Sequence, residues 1–299
     1  MIAKIELSII IVNFNSGEYL YKTVRSIYDH YLNTNFEIII VDNNSSDNSL
    51  EMTSNEFTDI NIIELDENVG FAAANNAGVK ESLGKYILIL NNDTEIMDGS
   101  IEVLMSEIKD QNNYGIVSPI LYYADGSPQL SYGNDPGIIN EFFTKYFSTI
   151  FFRIGLLLSR GNFEKDVDWI SGACFLITSD LYKELGGFDE NFFLYYEDAD
   201  LGKRVREKGF LNHITSKSRI IHFLGKSSGS VFSDLLPVIK RGHLYYYKKH
   251  KSKASFILLK RYLIIKFTFK LGLSVISGEK YTKRKISKII SAIKSITYE

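Results

Sequence analysis

Four short apolar runs mark the first ninety residues: Leu7–Val12 (LSIIIV), Phe36–Val41 (FEIIIV), Asn61–Leu65 (NIIEL) and Tyr86–Leu90 (YILIL). They are aliphatic or β-branched and lack clean polar alternation, which is how a strand covered on both faces reads. Helical spacing fills the gaps. Leu20, Val24, Ile27 and Tyr31 share one face of Tyr19–Tyr31, and a second helix is expected over Ala72–Leu83. Alternating strand and helix patterns predict βαβ units and a parallel sheet.

Three of the four runs are followed by turns rich in Asn and Asp: Asn13-Phe14-Asn15, Asp42-Asn43-Asn44-Ser45-Ser46 and Asn91-Asn92-Asp93-Thr94. In a parallel sheet such turns collect along one rim, at the carboxyl ends of the strands, where ligands bind. A carboxylate ending so apolar a run as Tyr86–Leu90 makes sense at that rim.

Further along, Ser100–Lys109 reads as a helix and Tyr114–Pro119 as a short strand. Leu121–Lys165 loses regularity, with turn signals at Asp125-Gly126-Ser127-Pro128 and Asn134-Asp135-Pro136-Gly137. Within it, Phe142–Phe152 is expected to be a helix or a flap. Ile170–Ile177 predicts a strand, Ser179 opens a short helix closed by Gly186-Gly187, and Glu197–Lys208 predicts a charged helix closed by Gly209. Arg219–Phe223 predicts a last short strand carrying His222. From about Ser233 the pattern becomes a helix with Leu258, Tyr262, Ile265, Phe269 and Ile276 on one face and Lys260, Arg261, Lys266 and Lys270 beside them.

Charge changes this picture more than composition does. The 299 residues carry a net charge of −2, but Leu236–Glu299 holds sixteen Lys and Arg against two Asp and Glu. An acidic body thus carries a basic tail, and a basic tail with interleaved aromatics points to an anionic surface. Two placements stay open: a helix lying in an anionic membrane interface, or one packed on the body or in a homodimer. Nucleic acid is not expected as a partner, because the body is acidic and no recognition motif is present. The single cysteine, Cys174, excludes an internal disulfide and fits a reducing cytosol. No secretory leader is expected at the N-terminus, and no uncharged apolar stretch is long enough to span a bilayer.

The candidate chemistry sits at the strand ends. Asp42 can accept from a base N–H or a ribose hydroxyl, or merely fix a turn. Asp93 is a hard oxygen ligand suited to Mg²⁺ or Mn²⁺. No GxGxxG or GxxxxGK[ST] loop is present, so dinucleotide-fold and P-loop phosphate cradles are not expected. Glu197-Asp198-Ala199-Asp200 opens a helix, where acids can simply complement the dipole and Arg204 and Arg206. The aromatic Phe192-Phe193-Leu194-Tyr195-Tyr196 ahead of them can instead wall a pocket and raise a carboxyl pKa toward that of a general base. His222 is either a core residue or a metal ligand beside Asp93, with Gly225, Ser227, Ser228 and Gly229 following in a loop able to approach phosphate. Trp169, the only tryptophan, is either core packing or a face for stacking on a sugar.

Seven stretches in order resemble the family 2 glycosyltransferases with a GT-A fold: SIIIVNFNSGEYL, IIIVDNNSSDNS, NVGFAAANNAG, LILNNDTEI, DWISGACFLI, GGFDENFFLYYEDADLGKRVREKG and IIHFLGKSSG. They cover roughly Leu7–Gly229, with the nearest likeness to rhamnosyltransferase-like enzymes of bacterial surface polysaccharide. The resemblance implies an α/β GT-A fold with a mostly parallel central sheet flanked by helices; the basic helical C-terminal extension is read from the charge and spacing of the tail itself. It implies a catalytic domain over 1–232, with a nucleotide-sugar half to about 118 and an acceptor half from about 119; the change of pattern in the tail sets off an extension over 233–299.

It further implies an inverting transfer from a nucleotide-diphospho-sugar, dTDP-rhamnose or a UDP-hexose, to a hydroxyl of a glycan or lipid-linked acceptor. The setting is the cytoplasm or the inner membrane face. A galactosyl or glucosyl donor, or a non-catalytic nucleotide-sugar-binding scaffold, are the alternatives. Asn13, Asn15 and Asp42 would border the nucleoside, and Asn68, Gly70 and Asn75 the diphosphate-sugar. Asn91, Asn92 and Asp93 would form the DXD-type motif, with Asp93 and His222 ligating Mg²⁺ or Mn²⁺. Asp198 would be the catalytic base, and Trp169, Gly172 and Glu197 would line the acceptor site. One departure stands out: Asn91 occupies the usual first acid of the motif and removes a negative charge, so a weaker metal site is expected.

Overall fold

The four apolar runs are neighbouring strands in the computed structural model, which describes residues 5–31, 35–158, 162–223, 232–276 and 280–298. Strand β1 (Leu7–Asn13) leads through helix α1 (Tyr19–His30) to β2 (Phe36–Asp42). Helix α2 (Ser49–Ser54) leads to β3 (Asn61–Glu64), and α3 (Phe71–Glu81) to β4 (Tyr86–Asn91). β1 lies parallel between β2 and β4, and β3 runs parallel on the far side of β2. The register sets Asn13 opposite Asp42 and Val12 opposite Asn91, so the Asn/Asp-rich ends share one rim. Ile9, Ile11, Ile38, Ile40, Leu88 and Leu90 enter one core; Ile10, Ile39, Val41, Ile87 and Ile89 enter the other. Burial on both faces is why these runs show no polar alternation.

The second half of this layer begins with β5 (Thr94–Ile96), α4 (Ser100–Asp110) and β6 (Tyr114–Tyr122). Then come β7 (Pro128–Gln129), β8 (Tyr132–Gly133), α5 (Ile138–Leu158), β9 (Glu164–Val167) and β10 (Trp169–Ile170). The layer ends with β11 (Cys174–Thr178), α6 (Ser179–Glu184), α7 (Glu197–Glu207) and β12 (Leu211–His222). The sheet order is β3-β2-β1-β4-β11-β6-β12-β5, with β7 added to β6 and β9 to β12, while β8 and β10 pair separately. β11 runs antiparallel to β4 and β6, and β5 antiparallel to β12, so the sheet is mixed but mostly parallel around β1.

Two local expectations are corrected. The single strand over Ile170–Ile177 is two: Trp169-Ile170 pairs with β8, the chain turns at Gly172, and β11 joins β4 and β6. The last strand starts at Leu211 rather than Arg219. Its first half is polar yet buried, because its side chains are bonded inward: Asn212 Nδ2 donates to the Gly202 carbonyl at 2.9 Å and Ser218 Oγ to the Ser100 carbonyl at 2.8 Å. Of the two readings of Phe142–Phe152, the helix is the one found: it is the middle of the long helix α5. Phe152 fastens it, buried edge-on against Tyr132 and Phe163.

The chain divides into two compact units, Met1–Asp189 with Asp198–Gly229, and Glu190–Glu197 with Ser230–Glu299. The second is built on three helices: α8 (Phe232–His250), α9 (Lys253–Ile276) and α10 (Lys280–Ser295). Leu259, Leu263 and Phe267 of α9 and Ile286, Ile289 and Ile293 of α10 are buried. Lys260 Nζ donates to the carbonyls of Ile296 (2.6 Å) and Lys294 (3.2 Å), satisfying the end of α10. The other face of α9 is open: Leu258, Tyr262, Ile265, Phe269 and Leu273 are 57, 54, 69, 68 and 52% exposed. Ile276, expected on that stripe, lies outside the residues whose side chains are described. No helix among the described residues is long and apolar enough to cross a membrane.

Candidate active site

The rim between β1 and β2 is a network of short polar side chains. Asn13 Nδ2 donates to Asp42 Oδ1 at 2.7 Å and to Ser49 Oγ at 2.9 Å, while Asn13 Oδ1 accepts from Ser16 Oγ and from Asn92 Nδ2 at 3.2 Å. The second Asp42 oxygen accepts the Ser45 N–H at 2.9 Å, closing an Asx turn. Asn15 adopts φ 50°, a left-handed conformation Asn tolerates, and its Oδ1 accepts the Ser46 N–H at 2.7 Å. Asn13 and Asp42 are buried and already bonded within this network, whereas Asn15 is only partly covered. The buried pair therefore shapes the loops, and each Asp42 oxygen keeps a lone pair for a further donor.

The entry to α3 is built on asparagine too. Asn43 Oδ1 accepts the Val69 N–H at 2.9 Å, Asn43 Nδ2 donates to Asn68 Oδ1 at 3.0 Å, and Asn68 Oδ1 also accepts the Gly70 N–H at 3.0 Å. Gly70 has φ 88° and ψ 173°, a conformation that only glycine adopts without strain. The chain then enters α3 with its first-turn N–H groups lacking intrahelical acceptors, at the positive end of the helix dipole. Asn75, on the same helix, is buried, and its Nδ2 donates to the Phe71 carbonyl one turn back at 2.9 Å.

β5 and β12 bring together two residues that are distant in sequence. Their pairing sets His222 opposite Thr94, and the Phe223 N–H donates to the Asp93 carbonyl at 2.9 Å. His222 Nε2 thus lies 3.3 Å from Asp93 Oδ1 and 3.4 Å from Asn91 Nδ2, and its Nδ1 lies 2.8 Å from Gln129 Oε1. Gln129 Oε1 accepts from Nδ1–H, so a neutral imidazole here turns its Nε2 lone pair toward Asn91 and Asp93. A buried carboxylate oxygen facing an imidazole lone pair calls for a proton or a cation between them. One oxygen and one nitrogen donor fit a divalent ion. Among the described residues no group of three or more His, Cys, Asp or Glu converges. Two protein donors therefore match an ion that takes its remaining ligands from water and phosphate. The expected phosphate loop at Gly225–Gly229 lies outside the described residues.

Asp198 opens α7. Its Oδ1 accepts the Ala199 N–H at 2.7 Å and its Oδ2 the Gly172 N–H at 3.3 Å. Burial pushes its carboxyl up from 3.8 to about 6, against the pull of those backbone bonds. The other acids of the segment behave differently. Asp200 is buried in a two-pronged pair with Arg204, Nε at 2.8 Å and a terminal nitrogen at 2.7 Å, and Arg206 pairs with Asp168 at 2.9 Å. The arginines are thus served without Asp198. Glu197, at the start of the helix, is buried.

Gly172 ties these parts together. A Cβ there would lie 3.0 Å from the Phe71 ring, so the first residue of α3, Gly172 and Asp198 form one wall. The neighbouring Ala173 carbonyl accepts the Asn91 N–H at 2.9 Å. Asp198 is therefore linked through Gly172-Ala173 to Asn91, and through Asn91 to His222 and Asp93. Trp169 lies three residues before Gly172. It is half-buried, its indole covers Gly133, and its Nε1–H donates to the Asn134 carbonyl at 2.9 Å. Gln129 escapes sequence reasoning, because a single Gln in a turn-rich stretch carries no pattern.

Comparison with known proteins gives a consistent result. The model of the family described as glycosyl transferase family 2 matches residues 8–184. The low-salt glycan biosynthesis hexosyltransferase Agl10 of Haloferax volcanii is 32% identical over 210 residues, 68% of this chain and 62% of that protein. An N-acetylglucosaminyl-diphospho-decaprenol L-rhamnosyltransferase of Mycobacterium tuberculosis is 24% identical over 243 residues, 75% of this chain and 78% of that one. Among solved structures, GalNAc-T7 with UDP, GalNAc and Mn²⁺ superposes with a TM-score of 0.60 at 16% identity, over 82% of this chain and 48% of that one. S. aureus TarS residues 1–349 superposes with a TM-score of 0.53 at 14% identity, over 97% and 90%. These likenesses establish the GT-A-like fold, and by the match over residues 8–184 the chain belongs to glycosyl transferase family 2.

Proposed function

We propose that the protein moves a sugar from a nucleotide-diphospho-sugar to a hydroxyl of a glycan or lipid-linked acceptor, with inversion at the anomeric carbon. The observation that carries this is the linkage of a buried, high-pKa carboxyl at Asp198 to the Asp93–His222 pair through one short polypeptide segment. Asp198 accepts the proton of the acceptor hydroxyl as its oxygen bonds to the anomeric carbon, and the bond from that carbon to the diphosphate oxygen breaks. Asn13, Asn15, Asp42 and Asn92 border the nucleoside. Asn68 and Gly70 set the α3 N-terminus toward the diphosphate-sugar, and Asn75 supports Phe71. Gly172, Trp169 and Glu197 belong to the acceptor side. Asp93 and His222, with Asn91 beside them, would hold Mg²⁺ or Mn²⁺, which when bound neutralises charge on the leaving diphosphate.

The named activities of the relatives favour a rhamnosyl or hexosyl donor, for which dTDP-rhamnose or a UDP-hexose is the proposed form. A cholesterol galactosyltransferase of Borreliella burgdorferi, 27% identical over 177 residues, keeps a galactosyl donor in view. The test is nucleoside diphosphate release from UDP-, dTDP- and GDP-sugars by the purified full chain, with and without Mn²⁺. Release from one donor class, accelerated by an acceptor, is expected. Tight binding of a donor without release under any of these conditions would instead favour a binding scaffold.

The exposed stripe on α9 supports contact with an anionic membrane, where lipid-linked acceptors reside. Leu258, Tyr262, Ile265, Phe269 and Leu273 present the apolar face, and Arg261 and Lys270, both exposed, can reach lipid phosphates beside it. Tyr262→Ser with Ile265→Ser and Phe269→Ser is expected to lower co-sedimentation with phosphatidylglycerol vesicles at least tenfold without changing donor turnover. Equal co-sedimentation would remove the membrane reading and leave the stripe to a homodimer, seen as concentration-dependent mass.

A further inference from the structure

Ahead of Asp198 the backbone is strained. Tyr195 and Tyr196 have φ 68° and 75°, two successive bulky residues in the left-handed region. Such a pair persists only where surrounding structure holds it. Segment 190–197 belongs to the helical unit, and the chain passes into the sheet-bearing unit at the peptide bond between Glu197 and Asp198. Helix α8 contributes contacts to the segment. Gly242 comes so close that a Cβ there would lie 2.7 Å from the Tyr195 carbonyl oxygen. His243 stacks on Tyr196, ring centres 4.9 Å apart and planes 7° from parallel, and Tyr245 packs edge-on against Phe192 at 4.8 Å. A glycine inside a helix weakens it relative to alanine, so its presence at 242 is explained by this backbone approach.

We propose that Gly242 and His243 are positioning residues for the Asp198 carboxyl. By holding Tyr195 and Tyr196 left-handed, they fix the direction in which the chain enters α7 and hence where its second residue, Asp198, presents its oxygens. This rests on the reading of Asp198 as the base.

The test uses the full chain with Gly242→Ala, His243→Ala and His243→Phe, the last keeping a flat ring for the stack. Gly242→Ala and His243→Ala are expected to lower kcat at least tenfold with the donor KM within about twofold. His243→Phe is expected to recover most of the loss. Hydrogen exchange read by mass spectrometry should quicken in peptides covering 197–204 and stay unchanged in those covering 86–91. The exchange readout needs no activity, and the two His243 variants decide the matter if Gly242→Ala does not fold. Wild-type kcat and wild-type exchange in a folded His243→Ala would overturn the proposal. Asp198→Asn, run alongside, separates the two readings. Loosened exchange in the α8 variants with full turnover in Asp198→Asn removes the base assignment and keeps the clamp. The reverse pattern removes the clamp and keeps the base.

Discussion

Asp198→Asn is expected to lower turnover by ~10²–10⁴-fold while leaving donor affinity nearly intact, because it removes proton acceptance and little else. The substitution keeps size and one acceptor oxygen, so one of the two backbone N–H bonds, from Ala199 or Gly172, survives. Two pH signatures accompany the loss. Since the carboxyl is raised to about 6, wild-type kcat/KM should fall through an acid limb near that pH, where the base becomes protonated. Stability moves the other way. The folded-state value lies above the unfolded value of 3.8, so the native state binds the extra proton between them and loses stability as pH rises through that window. A shift of this size corresponds to ~3 kcal/mol. The variant, with nothing to ionise, should gain about that much relative to wild type between pH 4 and pH 7, read from denaturant melts at the two values. Unchanged turnover, or a stability difference that ignores pH, would remove Asp198 from the role.

Much of this centre is legible in the sequence because its parts follow from strand burial. Leu7–Val12, Phe36–Val41 and Tyr86–Leu90 are apolar on both faces, which fixes them as inner parallel strands and sends their polar ends to one rim. The convergence of Asp93 and His222 is legible as one of two open readings of His222 and as what the resemblance implies, since it depends on the antiparallel pairing of β5 with β12. Nothing in the periodicity announces that pairing. β5 is three residues long, and the first half of β12 is a polar stretch whose burial depends on partners elsewhere, among them the Gly202 and Ser100 carbonyls. Asp198 and Asp200 look alike as acids in a helix's first turn. What separates them is that Arg204, four residues on, pairs with Asp200, a preference that needs coordinates to see. The same holds for Gly242: a lone glycine in a helical pattern reads as a weak point until the Tyr195 carbonyl is found against it.

Asp93→Ala is the second large effect, and it should appear in binding before it appears in rate. Titration of UDP or dTDP into the wild type should show an affinity that rises when Mn²⁺ replaces EDTA. In Asp93→Ala that increment should vanish while the affinity in EDTA stays at the wild-type level, because the nucleoside rim of Asn13, Asp42 and Ser45 is untouched. His222→Ala should act in the same direction, and the double variant should be no worse than the stronger single one, as befits two ligands of one ion. Gln129 supplies the finer control. It holds Nδ1 of His222 at 2.8 Å and so keeps the Nε2 lone pair toward Asp93. Gln129→Leu should weaken Mn²⁺-dependent binding by about 10–100-fold, the range typical of partners that orient a metal-ligating histidine. If Asp93→Ala binds the nucleotide in Mn²⁺ as tightly as wild type does, Asp93 and His222 do not share a cation. Their 3.3 Å approach is then a buried ion pair that serves the fold and not the donor.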